Sequence, residues 1–302
     1  MRLNLNLRAS KTLHAYIFLT PVIIFLVVFT VVPLLFGIYI SFFRWNMLVP
    51  PSQAKFIGLE NFRYILLQDE RFIPSLLSTF YFTIGDVILT AVIALLAAVA
   101  LNSNRRFRVF LRTIYFSPVI TPLVAVSIVW SYIYHPNYGL LNELLSWVKL
   151  PPQQWLTSIT AAMPSVIAMS VWKRLGYYML IFLAGLQAVP QELFEAATVD
   201  GASKTTMFRR ITLPLIKPTM LFVLVVLTIE ALQVFTQIFI MTQGGPVDAT
   251  RVTVLYMYDT AFSYLRMGRA SAMAFILFII VLIVTFVQVR LMREGGMNTY
   301  TN

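Results

Sequence analysis

Apolar residues run along the chain in stretches longer than the core of a water-soluble fold requires. From Tyr16 to Phe43 only apolar and small polar side chains occur, and comparable runs recur between short polar segments. A helix needs about 20 such residues to cross a hydrocarbon core of about 30 Å. Six spans are predicted, at about 15–42, 75–101, 109–134, 160–188, 216–241 and 271–291, each long enough at a rise of 1.5 Å per residue with some tilt. Pro21, Pro33, Pro118, Pro122 and Pro164 fall inside spans or near their ends. Kinks are expected there, because neighbouring helices or waters can take up the backbone groups that proline frees. The segment from Arg44 to Pro74 is too polar to span. The expected fold class is therefore all-α, a polytopic membrane helix bundle forming one domain over 15–302 behind a short segment, 1–14.

Basic residues give the bundle a direction, because Lys and Arg are retained on the cytoplasmic side. One set of flanks holds Arg2, Arg8, Lys11, Arg105, Arg106, Arg108, Arg112, Lys204, Arg209, Arg210, Lys217, Arg290 and Arg293. The other holds Arg44, Lys55, Arg63, Arg71, Lys149, Arg251, Arg266 and Arg269, spread through longer loops that also carry acids. The first set is read as cytoplasmic, which places both termini inside and agrees with an even number of spans. Trp45, Trp130, Trp147 and Trp155 lie near the predicted outer edges, as an interfacial aromatic belt would. Arg2, Arg8 and Lys11 ahead of an apolar run also resemble a signal peptide. The run exceeds a signal h-region of about 7 to 15 residues and shows no small-x-small cleavage pattern, so a retained first helix is read.

Composition narrows the function. The chain is 59% hydrophobic and 12% charged, with a mean hydropathy of +0.80, against roughly 25% charged in soluble domains. A net charge of +11 raises a nucleic-acid partner, but the basic residues sit between apolar runs rather than on one face, so none is expected. Without Cys there are no disulfides or thiolate ligands, and His14 and His135 are too far apart in sequence to suggest a ligand pair. No metal site is read. No period of 20 to 50 residues is found, and the halves show no internal repeat, which disfavours transporters built from repeated halves.

The segment between spans four and five, 189–215, has its own order. Pro190 suits a first helical turn, Glu192 and Glu195 follow near its positive end, and Gly201 can take the left-handed conformation that stops a helix. Ser203 can cap a second helix that ends in Arg209 and Arg210 before Pro214 blocks it. The product is an amphipathic elbow, with apolar faces from Leu193, Phe194, Ala197, Met207 and Phe208. A soluble partner could grip those faces, or they pack on the bundle's own end. Gly201-Ala-Ser-Lys-Thr205 looks like the end of a phosphate-binding loop, but Lys204 follows Ser203 and the earlier glycine is missing. No ATP site is read, so the energy must come from partner chains.

Glu195-Ala196-Ala197, three residues, Gly201, nine residues, then Ile211-x-Leu213-Pro214 resembles the EAA loop of binding-protein-dependent ABC importer permeases at every defining position. Trp172-Lys173, Leu183 to Pro190, Thr242-Gln-Gly-Gly-Pro246 and Gly268-x-Ala270-Ser-Ala272 resemble its carbohydrate-uptake, MalF/UgpA-like branch. The resemblance runs from the first span to the tail. It implies a multi-pass permease in a bacterial or archaeal cytoplasmic (inner) membrane. The implied partners are a second permease, two cytoplasmic ATPase subunits and an extracytoplasmic solute-binding protein that delivers a sugar or sugar-like solute, such as an oligosaccharide, polyol or glycerol phosphate. The permease itself would be no enzyme and would bind no cofactor, ATP and Mg sitting on the ATPases. The 189–215 loop would be the coupling helix, with Glu195, Ala196, Ala197, Asp200, Gly201, Ile211, Leu213 and Pro214 meeting the ATPase or setting the elbow. Loops 44–74, 135–159 and 243–269 would receive the binding protein.

Ionisable residues inside spans are costly and usually face a cavity or a partner. Asp86, Lys173, Arg174 and Glu230 qualify. Lys173 is expected to snorkel outward beside Trp172, and Asp86 to be a buried structural partner. Ser170, Arg174 and Tyr177 share one helical face by spacing, as do Glu230, Gln233 and Gln237. These six are read as lining the solute route, their amide, carboxylate and guanidinium groups suiting hydroxyls, with Tyr177 or Tyr178 stacking on a sugar ring. A purely structural Arg174–Glu230 salt bridge is the competing reading. Two other functions compete: a self-sufficient secondary transporter or channel would show ion-coupled flux by this chain alone, and a membrane enzyme would need an acid/base or metal cluster that is not visible.

Overall fold

The computed structural model describes residues 16, 18–103 and 108–294. The segment 1–14 with Arg2, Arg8, Lys11 and His14, the pair Arg105 and Arg106, and the end of the tail lie outside the described residues, as do the side chains of Arg108, Arg112 and Arg293. Packing divides the chain into two units, residues 1–68 with 257–276, and 69–256 with 277–302.

In the first unit, α1 (Phe18–Ile40) is apolar along its length, and only 6% of its hydrophobic window is buried. Such a surface is untenable in water and ordinary in lipid. Pro33 does not break it. A wide turn at Val27–Val31 includes Phe29, whose carbonyl Pro33 has no N–H to satisfy, so the lost bond is absorbed in the helix. Beyond α1 comes a two-residue antiparallel pair, β1 (Phe43–Arg44) with β2 (Lys55–Phe56), and then α2 (Glu60–Leu67). The rings of Phe42 and Phe275 both pack against Phe62, at 5.5 and 6.1 Å. These short strands are an addition to the all-helical expectation.

The second unit starts with α3 (Phe72–Ser103), three residues before the expected span. The Asp69 carboxylate accepts from the Arg71 and Phe72 amides at 2.9 and 3.2 Å, supplying partners for a helix start that apolarity alone does not mark. Next come α4 (Arg108–Ile120), α5 (Leu123–Ile133), α6 (Leu140–Trp147) and α7 (Ala162–Gln187). The most buried span is α7, packed along α3 and α4. Phe82, Met163, Met179 and Phe182 fill the core, with Ala94 and Ala98 where backbones come close. After α8 (Gln191–Val199) and α9 (Lys204–Leu215) come α10 (Lys217–Leu232), α11 (Thr236–Met241) and α12 (Thr253–Tyr258). The last helix, α13 (Met267–Glu294), gives its beginning to the first unit and the remainder to the second.

Among the described residues, α1, α3, α7 and α13 are each long and apolar enough to cross a membrane, while two further candidates are bent pairs. The predicted span 109–134 turns by 106° between α4 and α5, at Thr121-Pro122, where Pro122 cannot continue the ladder. The predicted span 216–241 meets α9 at 66° and is interrupted between Leu232 and Thr236. Pro164 leaves its helix unbroken, since it sits in the first turn, where there is no donor to lose.

Candidate functional site

Two arrangements in the second unit gather the residues singled out above. The first is a cavity of about 390 Å³ among α5, α7, α10 and α11, lined by Ser170, Lys173, Arg174, Tyr177, Tyr178, Glu230, Gln237, Val119 and Leu123. Five of the six expected route residues are in its wall. Gln233 is not: α10 stops at Leu232, Gln233 caps it with φ −105° and ψ 19°, and its side chain is exposed. The periodicity that joined Glu230, Gln233 and Gln237 assumed one unbroken helix, and the break removes its middle member.

Charge in this cavity is arranged in a chain. Arg174 Nη1 lies 2.5 Å from Asp86 Oδ2, while its Nε lies 3.8 Å from Glu230 Oε2. Asp86, on α3, is fully buried, whereas the Glu230 side chain is 45% exposed, so Arg174 is anchored to the buried acid and leaves the accessible one open. The structural partner of Arg174 is thus chiefly Asp86, and the Arg174–Glu230 bridge is the weaker arm. Tyr178 donates its hydroxyl to Glu230 Oε2 at 2.9 Å, and Gln237 Nε2 donates to Ser170 Oγ at 3.3 Å. The Tyr177 ring, 44% exposed, meets that of Tyr178 edge to face at 5.1 Å.

Lys173 does not snorkel. Its Nζ donates to the Pro118 and Val119 carbonyls at 2.8 and 2.9 Å. In a continuous helix the Pro118 carbonyl would accept from residue 122, which is proline and has no N–H. The ammonium joins the Thr121 N–H, which reaches the same carbonyl at 3.3 Å, at the end of α4, where a positive charge is also favoured by the helix dipole. Nothing in the local sequence signals the pairing, because the lysine and the carbonyls are more than 50 positions apart.

The second arrangement is the elbow. Pro190 is the residue before α8, not its first member, and Glu192 occupies the first turn. Ala202 N–H donates to the Ala197 carbonyl at 2.9 Å and Gly201 N–H to that of Thr198 at 3.1 Å, a Schellman closure with Gly201 at φ +72°. Ser203 Oγ then accepts from Thr206 N–H at 3.2 Å and caps α9. Pro214 does not end that helix, contrary to expectation. A wide turn at Phe208–Thr212, closed by Leu213 N–H on the Phe208 carbonyl, makes room for the proline ring, and α9 runs on to Leu215.

No residue of α8 is buried. Glu195, Ala196, Asp200 and Gly201 are exposed, Glu195 accepting from Gln191 Nε2 at 3.0 Å. Ala197 and Ile211 are half-buried, Leu213 packs on the core and Pro214 is exposed. The elbow therefore has an anchored end, α9, and a presented end, α8. Among the described residues no group of three or more His, Cys, Asp or Glu is placed to hold a metal ion.

Comparison with known proteins gives a consistent result. Residues 90–294 match the family described as binding-protein-dependent transport system inner membrane component. The chain is 39% identical over 282 residues, 92% of its length and 90% of the relative's, to a probable ABC transporter permease protein of Bacillus subtilis (strain 168). It is 34% identical over 291 residues, 95% of its length and 96% of the relative's, to the trehalose/maltose transport system permease protein MalF of Thermococcus litoralis. A chain of a bacterial ABC transporter involved in import of the acidic polysaccharide alginate superposes with a TM-score of 0.83 at 26% identity, covering 97% of this chain and 99% of that one.

Proposed function

From the premise that the chain belongs to the binding-protein-dependent transport system inner membrane component family, we propose how its two arrangements share the work of import. The chain is a multi-pass inner-membrane protein and the permease subunit of an ABC importer for a sugar or sugar-like solute, in line with its relatives. The observation that carries this reading is the family match over 90–294, which contains both the elbow and the cavity.

In this proposal α4 with α5, and α10 with α11, each count as one span, giving six with both termini cytoplasmic, in one domain over 15–302. The elbow at 189–215 is the coupling helix. An exposed α8 on an anchored α9 supports that role, because a docking element must present its face while remaining tied to the bundle. Glu195, Ala196, Ala197 and Asp200 would meet an ATPase subunit, Gly201 would set the angle, and Ile211, Leu213 and Pro214 would hold the second arm. A second permease, two ATPases carrying ATP and Mg, and an extracytoplasmic binding protein complete the assembly, and this chain hydrolyses nothing and binds no cofactor itself.

The cavity is the solute route. Glu230 offers a carboxylate, Arg174 and Lys173 offer N–H donors, and the Tyr177 ring offers an apolar face, a set that matches hydroxyls on a ring. The reading is tested by purifying the complex with its ATPase and measuring transport alongside ATP hydrolysis. Glu195→Lys is expected to leave hydrolysis running while transport falls. Solute flux driven by an ion gradient through this chain alone would overturn the proposal.

A further inference from the structure

A further cavity is in neither arrangement. It encloses about 610 Å³ within the first unit and is walled by β1 and the loop after it, by α2, and by the turn into α13. Its frame is rigid. The buried Asn61 amide donates to the carbonyls of Ser41 and Phe43, each at 2.9 Å. Gly268 lets the Phe43 carbonyl approach to within 2.0 Å of where a Cβ would stand. Trp45 is fixed by its indole N–H on the Val49 carbonyl at 2.8 Å.

Charge on this wall does not balance. Arg44, Arg266 and Arg269 face it with Glu60, and Glu60 is already engaged by Arg44 at 2.8 Å. The Arg269 guanidinium lies 3.5 Å from the centroid of the Tyr64 ring. That stacking occupies its flat face and leaves the N–H edge as donors, the geometry that receives a phosphate. Arg266 is exposed beside it. Two positive charges are therefore in excess.

Depth selects the anion. The walls begin just past Ile40, the end of the apolar helix α1, and close at the first turn of α13. A cavity at the ends of two spans is at headgroup level, where Trp residues also settle. The exposed apolar length of α1 gives acyl chains a surface to follow. We propose that this cavity holds the phosphate-bearing headgroup of an anionic phospholipid.

The test uses the full chain purified from membranes with its copurifying subunits. Native mass spectrometry counts retained lipid, and the delipidated complex is then titrated with phosphatidylglycerol, phosphatidylcholine or soluble glycerol phosphate. Phosphatidylglycerol is expected to be retained and to rebind in a salt-sensitive manner, weakened about tenfold or more by R266Q/R269Q but not by R63Q, an exposed arginine outside the cavity. Equal binding of phosphatidylcholine overturns the proposal, and this arm needs only the native protein. Equally tight glycerol phosphate would assign the cavity to a soluble anion. If R266Q/R269Q keeps its lipid but loses a binding protein, the cavity is a protein dock and the proposal fails.

Discussion

Arg174 is held at 2.5 Å by Asp86, from a helix 88 positions earlier in the chain, and at 3.8 Å by Glu230. The asymmetry ranks the two carboxylates: one anchors the guanidinium, and the other remains open to the cavity.

Removing the anchor leaves a largely buried cation with only the longer contact to Glu230. Asp86→Ala is expected to destabilise the complex by about 3–5 kcal/mol, with the Asp86→Leu/Arg174→Met pair recovering most of that loss. Thermal midpoints of the purified assembly check it, and a single variant as stable as the native chain would contradict the assignment.

Changes at the accessible acid should affect flux more than folding. Glu230→Gln and Tyr177→Ala are expected to reduce transport at low solute by about tenfold with the complex intact, whereas Gln233→Ala leaves it unchanged because that side chain is off the cavity wall. Uptake at several solute concentrations separates the three. Equal effects at 230 and 233 would remove the route assignment.

Lys173→Met removes the ammonium donor from two carbonyls at the end of α4, leaving Pro118 with the Thr121 N–H. A cost of about 1–3 kcal/mol is expected, with Lys173→Arg losing less because a donor remains. The comparison is made by thermal unfolding, and a neutral Met variant would mean that water serves those carbonyls as well.

At Gly201 there is open space around a would-be side chain but a φ of +72°. The obstacle is conformation, so Gly201→Asn is expected to be milder than Gly201→Val, the latter costing about 1–2 kcal/mol locally. Measured together, ATP hydrolysis and transport should diverge in the Val variant. Full coupling there would show that the elbow angle is immaterial.

What could be read before folding follows from the range of each interaction. Apolar length marks α1, α3, α7 and α13 because a membrane helix closes its hydrogen bonds within itself. The elbow was legible for the same reason: Gly201 and Ser203 act on neighbours a few positions away. The break at Gln233 was hidden, since no Pro or Gly marks residues 231–235. Long-range partners were also hidden. Asp86 and Lys173 announced themselves as costly residues in spans, but not which groups across the bundle would satisfy them. Pro214 misled because a wide turn upstream can absorb a proline.

With nothing in α8 buried, displacement imposed on the elbow can reach the membrane through the helices joined to its ends. From Gln187 to Tyr178 along α7 is about 14 Å, and from Lys217 to Glu230 along α10 about 20 Å, at 1.5 Å per residue. A tilt of about 10° over such a lever moves its far end by about 3 Å. Tyr178 rides on one lever and Glu230 on the other, joined by a 2.9 Å hydrogen bond beside the longer Arg174–Glu230 contact. A swing of that size at the tips exceeds the range over which a hydrogen bond holds, so it would part the Tyr178–Glu230 pair.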